Sequence, residues 1–285
     1  MVNFLRSLGN LYLYSSLNIS LCAALFTIES YLTIGHSIKT NYVAFIFFST
    51  ISAYSLHRVI GISKVGNYNK SGRYEVIQSF RSHILIYFIF SGLIAFYYLM
   101  KLSLTEQLLL IAPILVTAMY MLPIFKDKKR LRDFSFVKIF LIAFTWAWVA
   151  YFIPLFIEPN YEVNMFLLAE RVIFVFAITI PFDIRDVEVD QSLKVPTLVH
   201  KLGIKKSKLL GFLMLLINTG ILLYLLRQNL VSDSYALSLI LIYILSGMLI
   251  DGAEKELGDW YFGGFIDALL GLRILVFITL TSFLN

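Results

Sequence analysis

The chain has 285 residues, 59% of them hydrophobic and only 15% charged, with a mean hydropathy of +0.80 and a net charge of +6. This balance excludes a soluble domain of this length and predicts a single polytopic membrane domain over 1–285 whose surroundings are the lipid bilayer. The basic excess lies in short segments between apolar runs, which fits a membrane face and argues against a nucleic-acid partner.

Nine stretches approach the length of about 20 mostly apolar residues that crosses a hydrocarbon core of roughly 30 Å. They fall near 14–34, 41–61, 83–100, 106–122, 135–157, 163–182, 208–226, 235–250 and 262–283. Their continuous rather than alternating apolarity predicts an all-α bundle and not a barrel. The first run carries Asn18, Glu29 and the only cysteine, Cys22, which excludes an intramolecular disulfide. Asn18 is expected either to face an internal cavity or to bond a neighbouring helix. The second run ends in His57 and Arg58. Pro154 and Pro181 fall within or at the end of the fifth and sixth, where each removes a backbone donor and favours a bend. Glu29 and Glu170 are expected at the outer ends of their helices, while Asp267 and Arg273 occupy the last run. Charges so placed usually face a bundle interior or a cavity.

The connections separate by charge. Lys64, Lys70, Arg73 and Arg81 lie in one, a cluster from Lys126 to Arg132 in another, and Lys194, Lys201, Lys205, Lys206 and Lys208 in a third. The intervening loops hold little more than Lys39, Lys101, Glu158, Glu162 and Arg227. The positive-inside rule then puts the amino terminus in the cytoplasm and the carboxyl terminus outside, in what is expected to be a bacterial inner membrane.

The segment after the sixth run places Asp183, Asp186 and Asp190 at spacings of three and four, one face of a helix. Three like charges on one stripe require a compensating cation or full solvation. Mg²⁺ takes oxygen ligands and is commonly held by one or two carboxylates together with substrate phosphates, so a carboxylate stripe at a membrane edge suits a lipid diphosphate. A solvated helix end whose acids balance Arg185 and the downstream lysines accounts for the same spacing.

From Asp183 through Asp190 to Lys194, Thr197, Leu198 and Gly203, the segment resembles the second conserved motif of UbiA-type prenyltransferases, D-x-x-D-x-x-x-D followed by a K-T-L-like stretch and a glycine. The acids match at every position, whereas the later part is loosened to Lys194-Val-Pro-Thr197-Leu198. The helix count and the loop Tyr120-Met-Leu-Pro123 with its basic cluster are also similar to that family. The resemblance implies helices bundled around a central cavity, where two acidic motifs bind Mg²⁺ and a prenyl diphosphate donor and the prenyl group passes to an aromatic or other hydrophobic acceptor. It implies metal ligation by Asp183, Asp186 and Asp190. From their places in the chain, Arg58, Lys194, Asn18 and Asp267 are expected to contact substrate, and Arg73 lies in a loop that either closes over a diphosphate or is a plain basic cytoplasmic loop.

The first acidic motif of that family belongs at the end of the second helix, where this chain has Ala53, His57, Arg58 and Gly61 and no carboxylate. Neutral imidazole is a poor ligand for a hard cation. His57 and Arg58 are therefore expected to act on the diphosphate directly, Arg58 as a bidentate donor, beside a single Mg²⁺ at the acidic stripe. Ordinary interfacial packing is the competing account of the pair. Two other functions stay open: a non-catalytic UbiA-like lipid-binding or membrane-complex protein, and a transporter. The chain has no P-loop, H-E-x-x-H or cysteine pair to support a nucleotide or zinc reading.

Overall fold

The computed structural model describes residues 9, 12–64, 77–126, 129–134, 136–159, 161–192 and 195–284. Among the described residues the main elements are α1 (Leu17–Thr33), α2 (Thr40–Lys64), α3 (Arg81–Leu99), α4 (Leu104–Met121), α5 (Val137–Phe156), α6 (Met165–Arg185), α7 (Ile204–Arg227), α8 (Asp233–Asp251) and α9 (Trp260–Phe283). Each expected run overlaps one of them. Helices α2 to α9 are long and apolar enough to cross a bilayer. Helix α1, at 17 residues, stands at the lower edge of the roughly 17–25 that span one.

The helices begin where the sequence supplies caps. Ser103 and Glu106 form a reciprocal capping box at α4, Asn164 accepts from the amides of Phe166 and Leu167 at α6, and Ser232 accepts from that of Tyr235 at α8. Apolar residues cover the outer surface: Phe90, Leu93, Leu209, Leu216 and Met248 are 63–68% exposed, as lipid-facing side chains should be.

Packing follows chain order. Helix α1 packs on α2, α2 on α3, α5 on α6, α6 on α7, α7 on α8 and α8 on α9, and α9 returns to α1 to close the ring. The closure is tight because Gly271 of α9 lies against Cys22 and Leu25 of α1, where even a Cβ would clash. Two π-helical segments, Trp148–Phe152 in α5 and Trp260–Ile266 at the start of α9, widen the turn and supply carbonyls to other helices. Ala150 accepts from the Ser30 hydroxyl at 2.7 Å, Val149 from the Tyr42 hydroxyl at 2.7 Å, and Gly263 from the Asn18 amide.

The bundle interior also holds a group of charges. Arg273 of α9 donates to both Glu29 of α1 (2.9 Å) and Glu170 of α6 (2.7 Å), and Arg171 lies 3.5 Å from each carboxylate. Tyr235 and Tyr243 of α8 add hydroxyl bonds to Glu29 (2.5 Å) and Glu170 (2.6 Å). All four charged side chains are fully buried. The interfacial position expected for Glu29 and Glu170 is thus corrected. Each carboxylate is turned inward because Arg273, one turn beyond Leu270, needs two counter-charges in a water-poor interior. Replacing Arg273 with Met leaves two buried carboxylates short of a partner. We predict a loss of about 3–5 kcal/mol, read as a lowered unfolding midpoint in detergent; an unchanged midpoint would show that the cluster is not a fold determinant.

Candidate functional site

A cavity of about 350 Å³ opens among α1, α2, α4, α5, α6 and α9, and α3, α7 and α8 contribute nothing to its wall. One end is charged. There the carboxyl ends of α2, α4 and α6 meet the amino ends of α1, α5 and α9, which brings Tyr14, His57, Arg58, Arg132, Lys138, Asp186, Asp190 and Asp259 together. All of these come from basic-side connections or the helix turns next to them. One or two turns further along the same helices the wall becomes apolar, with Ile19, Tyr54, Leu141, Ile142, Trp146, Val175, Ile178 and Leu270. From Lys138 to Trp146 on α5 this is about 12 Å at 1.5 Å per residue.

The acidic stripe straddles the end of α6. Asp183 is its last buried carboxylate, Asp186 caps it, and Asp190 lies on the short helix Val187–Ser192, whose amide bonds back to the Asp186 carbonyl at 2.8 Å. Asp183 is 2% exposed and does not line the cavity; it meets the Lys138 ammonium at 2.7 Å. Asp190 shares that ammonium at 3.4 Å and lies 4.0 Å from Arg132. Burial pushes the Asp190 carboxyl above its usual range, against the opposing pull of Lys138. Asp186 accepts from Arg185 at 2.9 and 3.2 Å, and Arg185 also reaches Asp259 at 3.6 Å. The cations that offset the stripe are therefore largely side chains from α5, α6 and the loop before α5.

Thr197 caps the short helix Leu198–Leu202 through the His200 amide, and Gly203, at a φ of 78°, turns the chain into α7. The motif's later residues thus shape the turn that seats the stripe. Lys194 and Arg73 lie outside the described residues, as does the rest of the loop 65–76.

His57 and Arg58 both line the cavity but do different things. Arg58 donates to the carbonyls of Leu13, at 2.9 Å, and Tyr14, so its fork fastens the segment before α1. His57 Nε2 faces Arg132 at 2.5 Å. With the guanidinium donating, Nε2 is the acceptor and the imidazole carries its proton on Nδ1. Asn18 combines both of its expected roles, lining the cavity while bonding Gly263. Asp267 lines the cavity from α9 and makes no hydrogen bond or ion pair with any described residue. Sequence reasoning missed Lys138, Arg132 and Asp259. The first is a lysine just inside an apolar run, a placement that always asks for a counter-charge.

Among the described residues no three His, Cys, Asp or Glu side chains converge as a metal cage. Two carboxylates one turn apart, Asp186 and Asp190, do face the cavity. One Mg²⁺ held by two carboxylates and completed by ligand oxygens fits this donor set.

Helices closed around a cavity that is charged at one end and apolar beyond define an integral, multi-pass membrane protein with an amphipathic interior. Residues 78–258, which include the acidic stripe and Arg132, match the UbiA prenyltransferase family, and the chain belongs to it. The fold is similar to a UbiA homologue from Archaeoglobus fulgidus bound to GPP and Mg²⁺, with a TM-score of 0.67 at 12% identity over 96% of this chain and 99% of that one. It is also similar to a UbiA homologue from Aeropyrum pernix K1 (TM-score 0.65, 11% identity, 93% and 96% covered). A digeranylgeranylglyceryl phosphate synthase gives a TM-score of 0.57 at 15% identity over 96% and 98%. At these identities the likeness concerns the fold. No curated protein matches the chain in sequence.

The Lys138 bridge makes a prediction of its own. Lys138→Met should destabilise the protein by about 3–5 kcal/mol, because it leaves Asp183 buried without its cation. Adding Asp183→Asn should restore much of the loss, a coupling of at least about 1 kcal/mol in a double-mutant cycle of detergent unfolding. Additive losses would mean that the pair does not interact.

Proposed function

We propose that this protein transfers a prenyl group from a prenyl diphosphate to a hydrophobic acceptor, aromatic or lipid, within the membrane, residues 1–285 acting as one domain. The observation that carries this is the cavity's division into a charged end and an apolar body, in a chain of the UbiA prenyltransferase family. The diphosphate lies at the charged end and the isoprenoid chain among Leu141, Ile142, Trp146, Ile178 and Leu270. The charged end opens where the basic loops lie, so the positive-inside rule puts donor entry on the cytoplasmic side, the amino terminus in the cytoplasm and the protein in a bacterial inner membrane.

In the reaction the bond between the prenyl C1 and the diphosphate oxygen breaks, the acceptor's nucleophilic atom bonds to C1, and the acceptor loses a proton. Lys138, paired with Asp183 and Asp190, faces the leaving diphosphate and lowers the cost of the charge that develops there. Asp186 and Asp190 would hold Mg²⁺, which supplies further positive charge to the same leaving group when bound. Asp267, on the α9 wall of the cavity and without a hydrogen-bond partner among the described residues, accepts a hydrogen bond from the acceptor and aligns it on C1. The apolar wall excludes the water that would otherwise take the prenyl group.

A second reading also has an observation behind it. With no carboxylate at the end of α2 and Asp183 bound to Lys138, the fold would also serve to hold an isoprenoid lipid without reacting it. Purified protein given geranylgeranyl diphosphate, Mg²⁺ and a lipid extract of its own membranes should release diphosphate and form a prenylated product. Asp186→Ala should lower the rate by at least about 100-fold, the scale of losing electrostatic help at a leaving group. Tight donor binding with no release of diphosphate would instead establish the non-catalytic reading.

A further inference from the structure

The end of α2 lacks metal-binding carboxylates, yet it is built into the cavity wall: Ala53, His57 and Gly61 all line it. What stands there is a cation. Arg132, from the loop between α4 and α5, reaches His57 through one terminal nitrogen at 2.5 Å. Its guanidinium lies 5.4 Å over the Tyr120 ring, and its side chain is 12% exposed. Burial favours loss of its proton, but Tyr120 and the carboxylates Asp190, Asp186 and Asp133 outweigh that and hold its pKa above the ordinary value.

The cavity cations are not equally occupied. Arg130 spends its fork on Asp133 at 2.8 and 3.2 Å, Arg185 on Asp186, Arg58 on backbone carbonyls, and Lys138 on Asp183 and Asp190. Arg132 is held differently. Its Nε–H is buried with no partner, and its second terminal nitrogen stops 4.0 Å short of Asp190, beyond hydrogen-bond distance. A buried donor left unmade costs about 1–3 kcal/mol. The second terminal nitrogen is a charged donor left for a phosphate oxygen in the cavity, whereas the buried Nε–H has no surface open to it.

We propose that Arg132, positioned by His57, replaces the missing first acidic motif and its metal as the second positive clamp on the donor's diphosphate, so that the protein binds its donor with one divalent ion per chain. This rests on the prenyl diphosphate reading above. His57 acts as a positioning residue: it accepts one N–H of Arg132 and leaves the second terminal nitrogen for the ligand. A carboxylate at the same place would pair with Arg132 and cancel it, so the loss of the acid and the presence of the arginine belong together.

Mn²⁺ serves as the probe for metal stoichiometry, by electron paramagnetic resonance titration of the full chain in detergent with saturating geranylgeranyl diphosphate. One tightly bound ion per chain is expected, and two would overturn the proposal. In parallel, Arg132→Gln should weaken geranylgeranyl diphosphate binding at least 10-fold, Arg132→Lys less, and His57→Phe by an intermediate amount, while Lys129→Gln on the exposed loop leaves it unchanged. Folded Arg132→Gln protein that binds the donor as tightly as wild type would equally overturn it. Should Arg132→Gln fail to fold, the stoichiometry of the wild type decides alone. Two ions with tight binding would sink the clamp but leave the donor site standing, whereas a folded wild type that binds no geranylgeranyl diphosphate sinks both.

Discussion

The arrangement of this bundle depends on the buried group formed by Glu29, Glu170, Arg171 and Arg273. Charge inside a membrane protein is tolerated only where it is matched, and here the matching partners come from α1, α6 and α9 with hydroxyls from α8. Four helices must therefore meet at one depth and in one rotation. A shift of a single turn, about 5.4 Å, would leave each carboxylate without its arginine. The register so fixed is inherited by the site. On α6, Asp183 follows Glu170 by 13 residues, about 20 Å of helix, and on α9 Asp267 precedes Arg273 by six, about 9 Å. The ion group thus stands beyond the apolar part of the cavity, on the side away from the acidic stripe. A ligand in the cavity lies between two charged layers, one closed by its own ion pairs and one still able to accept a guest.

The charged end differs from the inner cluster in how its pairs are satisfied. Arg273 has both counter-ions at full hydrogen-bond contact, whereas around the stripe Lys138 divides itself between two carboxylates, Arg132 leaves a buried donor open, and Asp267 has no partner among the described residues. An under-satisfied polar group is expensive in a buried site unless something else completes it. Buried groups short of a partner occur elsewhere too, Arg171 Nε in the inner cluster among them, but at this end Arg132 and Asp267 line the cavity where the wall changes from charged to apolar. It is there that an amphiphile with an anionic head would complete the bonding, which is the physical sense in which this end is a site and the other is a strut.

Much of the architecture is legible in the residues because bilayer thickness and apolar length constrain each other directly. The run from 163 to 182 had to be a helix, and Asp183, Asp186 and Asp190 had to follow it on one side. What spacing cannot carry is pairing between distant segments. Lys138 lies 45 residues before Asp183, and nothing local distinguishes a lysine that neutralises a carboxylate from one that lies in headgroups. The same holds for Arg132, one of five basic residues between Lys126 and Arg132 that read together as a cytoplasmic loop. Only Arg130 carried a local sign, an acid three residues on, and the structure spends it on that acid. Arg58 was conspicuous in sequence as the neighbour of His57, yet adjacent helical residues point about 100° apart. One reaches Arg132 and the other the backbone before α1.

The stripe's own chemistry changes once its partners are known. Taken alone, three carboxylates on one face ask for a divalent cation to relieve their repulsion. With Lys138 already between Asp183 and Asp190, most of that repulsion is relieved by the protein, and a metal arriving at Asp186 and Asp190 would meet a partly neutralised wall. Its affinity then depends on oxygens brought by the ligand, because carboxylates shared with an ammonium and a guanidinium hold Mg²⁺ less tightly than free ones. A metal bound chiefly with its diphosphate, and an arginine where the other acids are missing, are two sides of the same charge balance. On the proposed reading, the positive charge that the family resemblance would assign to metal ions is supplied in this chain largely by side chains held in place by the fold.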